Sequence, residues 1–174
     1  MNDEEFLQII NFFKKQLFKK HYILVSRGAV APLEYFVVKG LLKSTHTDSE
    51  GKVQIMQFAY ENWWISDMQS FNTGAPAQFD IDCLEDTTVF SISHEDKEDL
   101  CRISNKMQYF FRRKAVYNMI ALHKRVLMLL SSTASERYEA LLKQYPQLHE
   151  RVSKKLIAGY LGVTRETLSR LSTT

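Results

Sequence analysis

The chain has 174 residues, 45% hydrophobic and 25% charged, with a formal net charge of +3. This is an ordinary globular composition, enough for one domain of good size or two small ones, and the weak net charge excludes a strong global field for nucleic acid. Two distant cysteines, Cys83 and Cys101, with no Cys-x-x-Cys and no His/Cys cluster, exclude a disulfide framework or a zinc site. The acidic opening Met1-Asn-Asp-Glu-Glu is unlike a signal peptide, and no apolar run reaches the length of a membrane span. A cytoplasmic location with no membrane partner is therefore expected.

Residues 3–20 read as one amphipathic helix, with Phe6, Ile9, Ile10, Phe13 and Leu17 in a stripe and Lys14, Lys15, Lys19 and Lys20 mostly off it. From His21 to Ser93 short β-rich runs alternate with turn signals. The runs are Tyr22–Val25, Glu34–Val38, Leu41–Thr45, Val53–Phe58, Gln78–Cys83 and Thr88–Ile92, and Gly28, Gly40, Gly51 and Gly74 mark bends between them. Regularly spaced short strands predict a small barrel or jelly roll. Ser93 and Asp96 are spaced as a capping box for a short helix to about Ile103.

A long helix is predicted from Asn105 to about Leu130, on the order of 40 Å at ~1.5 Å per residue. Its second half is apolar on more than one face, so it must be covered on several sides. The roll covers one side; a second copy of the helix covers another, unless the helix is the central core of a monomer. Ser131 to Glu136 reads as a hinge with a capping box, Thr133 and Glu136, for a helix that stops before Pro146.

The stretch Val152–Leu171 reads as helix, tight turn, helix. Ser153 caps the first helix, which buries Leu156, Ile157, Tyr160 and Leu161. Ala158 is small enough for a close crossing, and Gly162 gives the turn its freedom. Thr164 caps the second helix, which buries Leu168 and Leu171 and turns Arg165, Glu166, Ser169 and Arg170 outward. Such a face suits a major groove, because Arg donates two bonds to guanine and Glu accepts from cytosine. The surroundings are locally basic: six Lys or Arg and no acid from Asn105 to Ser135, and five basic against two acidic residues from Pro146 onward. Lys154 and Lys155 are candidate phosphate contacts. An ordinary helical hairpin with a solvated face is the plainer alternative.

No enzyme is expected. His21, His46, His94, His123 and His149 are scattered, without a Ser, Cys or carboxylate at motif spacing, and there is no Walker-type or dinucleotide glycine loop.

Arg165-Glu-Thr-x-x-Arg170, together with Ala158, Gly162 and the Thr164 cap, resembles the helix-turn-helix of the Crp/Fnr (cyclic-AMP receptor protein) family of bacterial transcription regulators. The stretch from Tyr35 to Gly40 resembles the β-roll of cyclic-nucleotide-binding domains. The resemblance implies an α+β fold: an N-terminal β-roll over residues 1–104, a long dimerisation helix over 105–131 and a C-terminal helix-turn-helix over 132–174. It also implies that Arg165, Glu166 and Arg170 read bases, with Lys154, Lys155, Thr164, Thr167 and Ser169 in the same DNA-binding face. The implied partners are double-stranded DNA, a second copy of the chain and RNA polymerase, with an unknown small-molecule effector and no bound cofactor or metal. Two cysteines are too few for the four-cysteine iron–sulfur sensor of some relatives.

The run Asn62–Phe79 resembles, without gaps, the phosphate-binding cassette of those domains. Ser66-Asp67 stands where Gly-Glu is expected, Phe71 is kept, and Ala77-Gln78 stands where Arg-Ser is expected. Leu122 and His123 take the helix positions that meet the purine. The cation for the phosphate is missing, so cyclic AMP and cyclic GMP are not expected as ligands. Trp63, Trp64, Phe71 and Phe79 are either core or an aromatic ligand pocket. Relatives continue past the recognition helix, whereas this chain closes at Leu171-Ser-Thr-Thr174, which predicts fewer phosphate contacts. Two alternatives follow: a sensor that signals through a protein partner, and a family member impaired in DNA binding.

Overall fold

A computed structural model describes residues 3–171 of the chain; Ser172 to Thr174, where the shortened end of the last helix was expected, lie outside them. The strands are β1 (Lys14–Phe18), β2 (Ile23–Val25), β3 (Leu33–Lys39), β4 (Leu42–Thr47), β5 (Val53–Ala59), β6 (Trp64–Ile65), β7 (Asp80–Cys83) and β8 (Thr87–Ser93). The helices are α1 (Asp3–Ile10), α2 (Met68–Thr73), α3 (His94–Ile103), α4 (Asn105–Ser131), α5 (Ala134–Gln144), α6 (Leu148–Arg151), α7 (Lys154–Leu161) and α8 (Arg165–Leu171).

Two antiparallel four-stranded sheets form the roll, in the orders β1-β8-β3-β6 and β2-β7-β4-β5. Alternation along the strands sends Tyr35, Val37 and Val89 from one sheet and Leu42, Ile81 and Cys83 from the other into a shared core. At Gly40, with φ of 105°, a Cβ would lie 2.5 Å from the Thr87 hydroxyl and 2.8 Å from the Asp86 carbonyl, so the β3–β4 turn accepts only glycine.

The helix expected over 3–20 is two elements. The chain turns after α1, where the N–H groups of Phe12 and Phe13 bond the carbonyls of Ile9 and Ile10. Lys14–Phe18 then runs antiparallel to β8, from Lys14 opposite Ser91 to Phe18 opposite Thr87. Leu17, placed on the buried helical stripe by spacing, is 74% exposed on the strand's outer face. Pairing with β8 satisfies backbone groups along that strand that would otherwise form the sheet edge, and this outweighs a helical stripe that α1 alone already uses through Ile9. The short β6 and α2, within the Asn62–Phe79 run, are likewise elements that spacing does not reveal.

The box expected at Ser93 forms in part, since the Asp96 carboxylate takes the Ser93 hydroxyl, and the one at Thr133 forms in full. The Ser93 hydroxyl accepts from the Asp96 N–H at 3.1 Å, and Thr133 and Glu136 form a complete capping box. The α4 helix has 27 residues, of which only Phe111 is buried. A buried charge cluster fastens its first half to the roll. Glu34 on β3 accepts from Lys97 of α3 at 2.8 Å and from Lys114 of α4, and the Lys114 ammonium lies 4.2 Å from the Trp64 ring centre. Much of the rest of α4 stays bare: Tyr109, Tyr117, Met119, Leu122, Leu127 and Leu130 are each more than half exposed. Among the described residues, no helix is long and apolar enough to cross a membrane.

The last four helices have no separate core. Leu41, Ile55 and Phe58 of the roll share one cluster with Leu141, Tyr145, Leu148, Ile157, Leu161 and Leu168. A clamp reinforces that seam: Arg151 of α6 donates to Glu61 at 2.9 and 3.2 Å and to Glu85 at 2.9 and 2.7 Å.

Candidate functional site

Two regions carry the residues singled out by sequence. The first is the cassette. Asp67 is 1% exposed, and its carboxylate is fully engaged by its own loop. One oxygen accepts from the Ser70 N–H at 3.0 Å and caps α2; the other accepts from the N–H groups of Gln78 at 2.7 Å and Phe79 at 3.3 Å. The resident anion thus occupies the backbone donors of this loop. Ser66 donates to the Leu33 carbonyl at 2.9 Å and ties the loop to β3. Gln78 donates through its amide to Gln69 at 2.6 Å.

Ala77 is buried, and its backbone is spent on pairing: its N–H bonds the Ala29 carbonyl, and its carbonyl accepts from Gly28, both at 2.8 Å. Phe71 is buried, with its ring against His94 at 5.5 Å and the Lys97 ammonium at 5.1 Å. Leu122 is 58% exposed on α4 and His123 is exposed too, so in the single chain neither closes over the cassette. The four aromatic residues of the run do not converge. Trp63 packs at a tilt against Tyr60 and Tyr145, Trp64 sits among Phe13, Phe36 and Phe111, and Phe79 meets His46 edge-on. Trp63 and Phe79 belong to separate patches, while Phe71 and Trp64 border the Lys97–Lys114 cluster, so the four rings do not line one aromatic pocket.

The second region is the pair α7–α8. Ser153 caps α7 by accepting from the Leu156 N–H. Gly162, with φ of 68°, closes α7 by donating to the Ala158 carbonyl, and Val163 donates to the same oxygen at 3.0 Å. Thr164 accepts from the Thr167 N–H at 3.2 Å and starts α8. Leu168 is buried in the shared core, which turns the opposite side of α8 to solvent. Arg165, Glu166, Ser169 and Arg170 are exposed together there, Thr167 is half-buried, and Lys154 and Lys155 are exposed at the start of α7. The N–H of Glu166 itself, then the Thr164 hydroxyl, hold the Glu166 carboxyl below the usual carboxylate range, with Arg165 and Arg170 adding to this. The face therefore offers two guanidinium forks beside one ionised acceptor.

Spacing did not reveal three structural groups. They are the Glu34–Lys97–Lys114 cluster, the Arg151 clamp, and Arg125, which donates to the Ile55 carbonyl on β5 and the Tyr160 carbonyl on α7. The one signal in the sequence was the lone charge of Glu34 inside an apolar run; Arg125, beside Lys124, carried none.

Residues 15–104 match the family model described as the cyclic nucleotide-binding domain. Among curated proteins none matches the chain. Solved structures do. FixK2 from Bradyrhizobium japonicum superimposes with a TM-score of 0.81 at 21% identity, over 92% of this chain and 83% of that one. The c-di-GMP-responsive global regulator CLP of Xanthomonas campestris gives 0.78 at 13% identity, over 99% and 90%. A transcriptional regulator of the Crp/Fnr family from Eubacterium rectale gives 0.71 at 16% identity, over 98% and 82%. At these identities the likeness is one of fold.

Proposed function

As the chain belongs to the cyclic nucleotide-binding domain family, we propose that it is a homodimeric DNA-binding transcription regulator of the Crp/Fnr type whose roll does not take a cyclic nucleotide. The observation that carries the reading is the outer face of α8. Its capped N-terminus and buried Leu168 hold Arg165, Glu166, Ser169 and Arg170 outward as one exposed row. Arg bidentate to guanine and Glu to cytosine are the contacts such a row makes in a major groove. Lys154 and Lys155 add phosphate contacts, which set affinity and salt dependence rather than sequence.

The bare side of α4 supports the dimer. An unpartnered run of Tyr109, Tyr117, Met119, Leu127 and Leu130 is more apolar surface than a solvated helix carries, and a second copy of α4 covers it. Two copies of α8 related by a two-fold axis read a palindrome. RNA polymerase enters as a further partner of that bound state.

The cassette supports the absence of cyclic nucleotide. Ala77 supplies no cation, Asp67 already fills the loop's backbone donors with negative charge, and Leu122 supplies no hydrogen bond to a base. The test of the DNA reading is a gel-shift series in rising salt with Arg165→Ala, Arg170→Ala and Lys154→Ala. The arginine variants lose about 1–3 kcal/mol on specific sites and relax single positions. The lysine variant weakens all sequences alike and lowers the salt slope by about one. Equal, sequence-blind losses for all three variants reject α8 as the reading helix.

A further inference from the structure

Arg125 lies in the last third of α4, just ahead of the apolar run Val126 to Leu130. Its side chain leaves the helix and joins two elements that are distant in sequence. Nη2 donates to the Ile55 carbonyl on β5 at 2.9 Å and to the Tyr160 carbonyl on α7 at 3.1 Å. The guanidinium carbon stands 3.7 Å from the Tyr160 ring centre.

The fold leaves both acceptors available. Tyr160 is in the last turn of α7, where carbonyls lack an intrahelical N–H and the negative end of the helix dipole gathers. Ile55 is on β5, an edge strand of its sheet. The two elements are in contact: a Cβ at Gly159 would meet Ile55 Cγ1 at 3.4 Å and the Val53 carbonyl at 3.6 Å, ordinary packing distances. A guanidinium that bonds carbonyls of two separate elements and lies against the Tyr160 ring links them in a way an apolar side chain could not.

We propose that Arg125 is a positioning residue that fixes α7 against β5, so that a movement of the roll reaches α8 directly within one chain as well as along α4. The functional meaning rests on α8 reading DNA; the coupling itself does not.

Hydrogen exchange by mass spectrometry on the full chain tests it, comparing wild type with Arg125→Met and Arg125→Lys. Methionine keeps part of the apolar stem and removes every donor. In Arg125→Met the amides of β5 and α7 exchange at least about ten-fold faster, while those of β3 and β8 and the light-scattering mass stay as in wild type. Arg125→Lys, the milder variant, recovers part of the protection, because an ammonium still donates but lacks the flat fork over Tyr160. Wild-type protection of β5 and α7 in both variants overturns the proposal. So does a rise of equal size in β3 and β8, which marks general destabilisation. If β5 and α7 loosen together as expected while neither wild type nor variant binds DNA, the coupling stands and the reading of α8 fails.

Discussion

The Arg151 clamp fixes how strongly the C-terminal helices are held to the roll, and its removal has a calculable cost. Arg151 makes four N–H···O contacts to Glu61 and Glu85. The side chains are 21%, 36% and 34% exposed, so solvent screens them more than a buried pair but less than a free surface pair. An exposed pair contributes about 0–1 kcal/mol, and a hydrogen bond to a charged group about 1.5–3. Discounting for this exposure, Arg151→Ala costs about 2–3 kcal/mol and leaves two carboxylates facing each other. Glu61→Gln with Glu85→Gln keeps acceptors for the fork and costs less, about 1 kcal/mol. The assay is urea unfolding at low and at high sodium chloride, where the wild-type advantage shrinks as screening rises.

The pH dependence has a definite sign. Burial pushes the Glu61 carboxyl up, but the Arg151 bonds, the backbone N–H groups of Glu61 and Gly40, and the Arg151 charge together hold it below the usual carboxylate range. A depressed carboxyl contributes stability above its unfolded pKa and loses it as pH falls through the lower folded value. Arg151→Ala therefore flattens the acid limb of the wild-type stability curve. An Arg151→Ala protein within about 0.5 kcal/mol of wild type, with the same salt and acid response, refutes the reasoning.

Three further outcomes follow from the same geometry. Burial, outweighing attraction to Glu34, lowers the Lys114 ammonium to about 8, so the folded state holds fewer protons than the unfolded chain above that pH. The Lys114 contribution to stability then rises between about pH 8 and the ordinary lysine value of 10.5, and Lys114→Met removes that rise in denaturant melts across the interval. Cyclic AMP and cyclic GMP give no calorimetric binding below the millimolar range, and Ala77→Arg alone does not restore it, because Ala77 is buried and Asp67 keeps the loop's amides; micromolar binding by wild type would show that another cation serves the phosphate. Charged residues at Tyr117, Ala121 or Met128, the first two exposed and the third half-buried on α4, yield monomers or insoluble protein by light scattering, and a wild-type mass of one chain at every concentration removes the dimer.

What was legible in the sequence is what neighbouring residues decide. β7 and most of β8 alternate, β3 ends at Gly40, and the caps at Ser93, Thr133, Ser153 and Thr164 bond amides three positions on. Lys14–Phe18 was not legible, because Phe13 and Leu17 also fit a helical stripe; pairing with β8, as at Lys14 with Ser91, decides it. The same distance hid the cluster at Glu34, whose partner Lys114 is 80 residues on, and Arg125, which reaches Ile55 across 70 residues. Local spacing carries no information on such contacts. In the cassette, the departures at Ala77 and Asp67 were visible, but the bonds that engage the Asp67 carboxylate were not. Only the folded loop brings the N–H groups of Gln78 and Phe79 to the Asp67 carboxylate.

The central claim, that α8 reads DNA as one of a pair, is tested most directly by selecting bound fragments from a random duplex library with the full chain at moderate salt. The account predicts enrichment of a two-fold symmetric motif whose half-site preference relaxes at one position in Arg165→Ala and at another in Arg170→Ala. Recovery of fragments with no shared motif by the wild-type chain contradicts it.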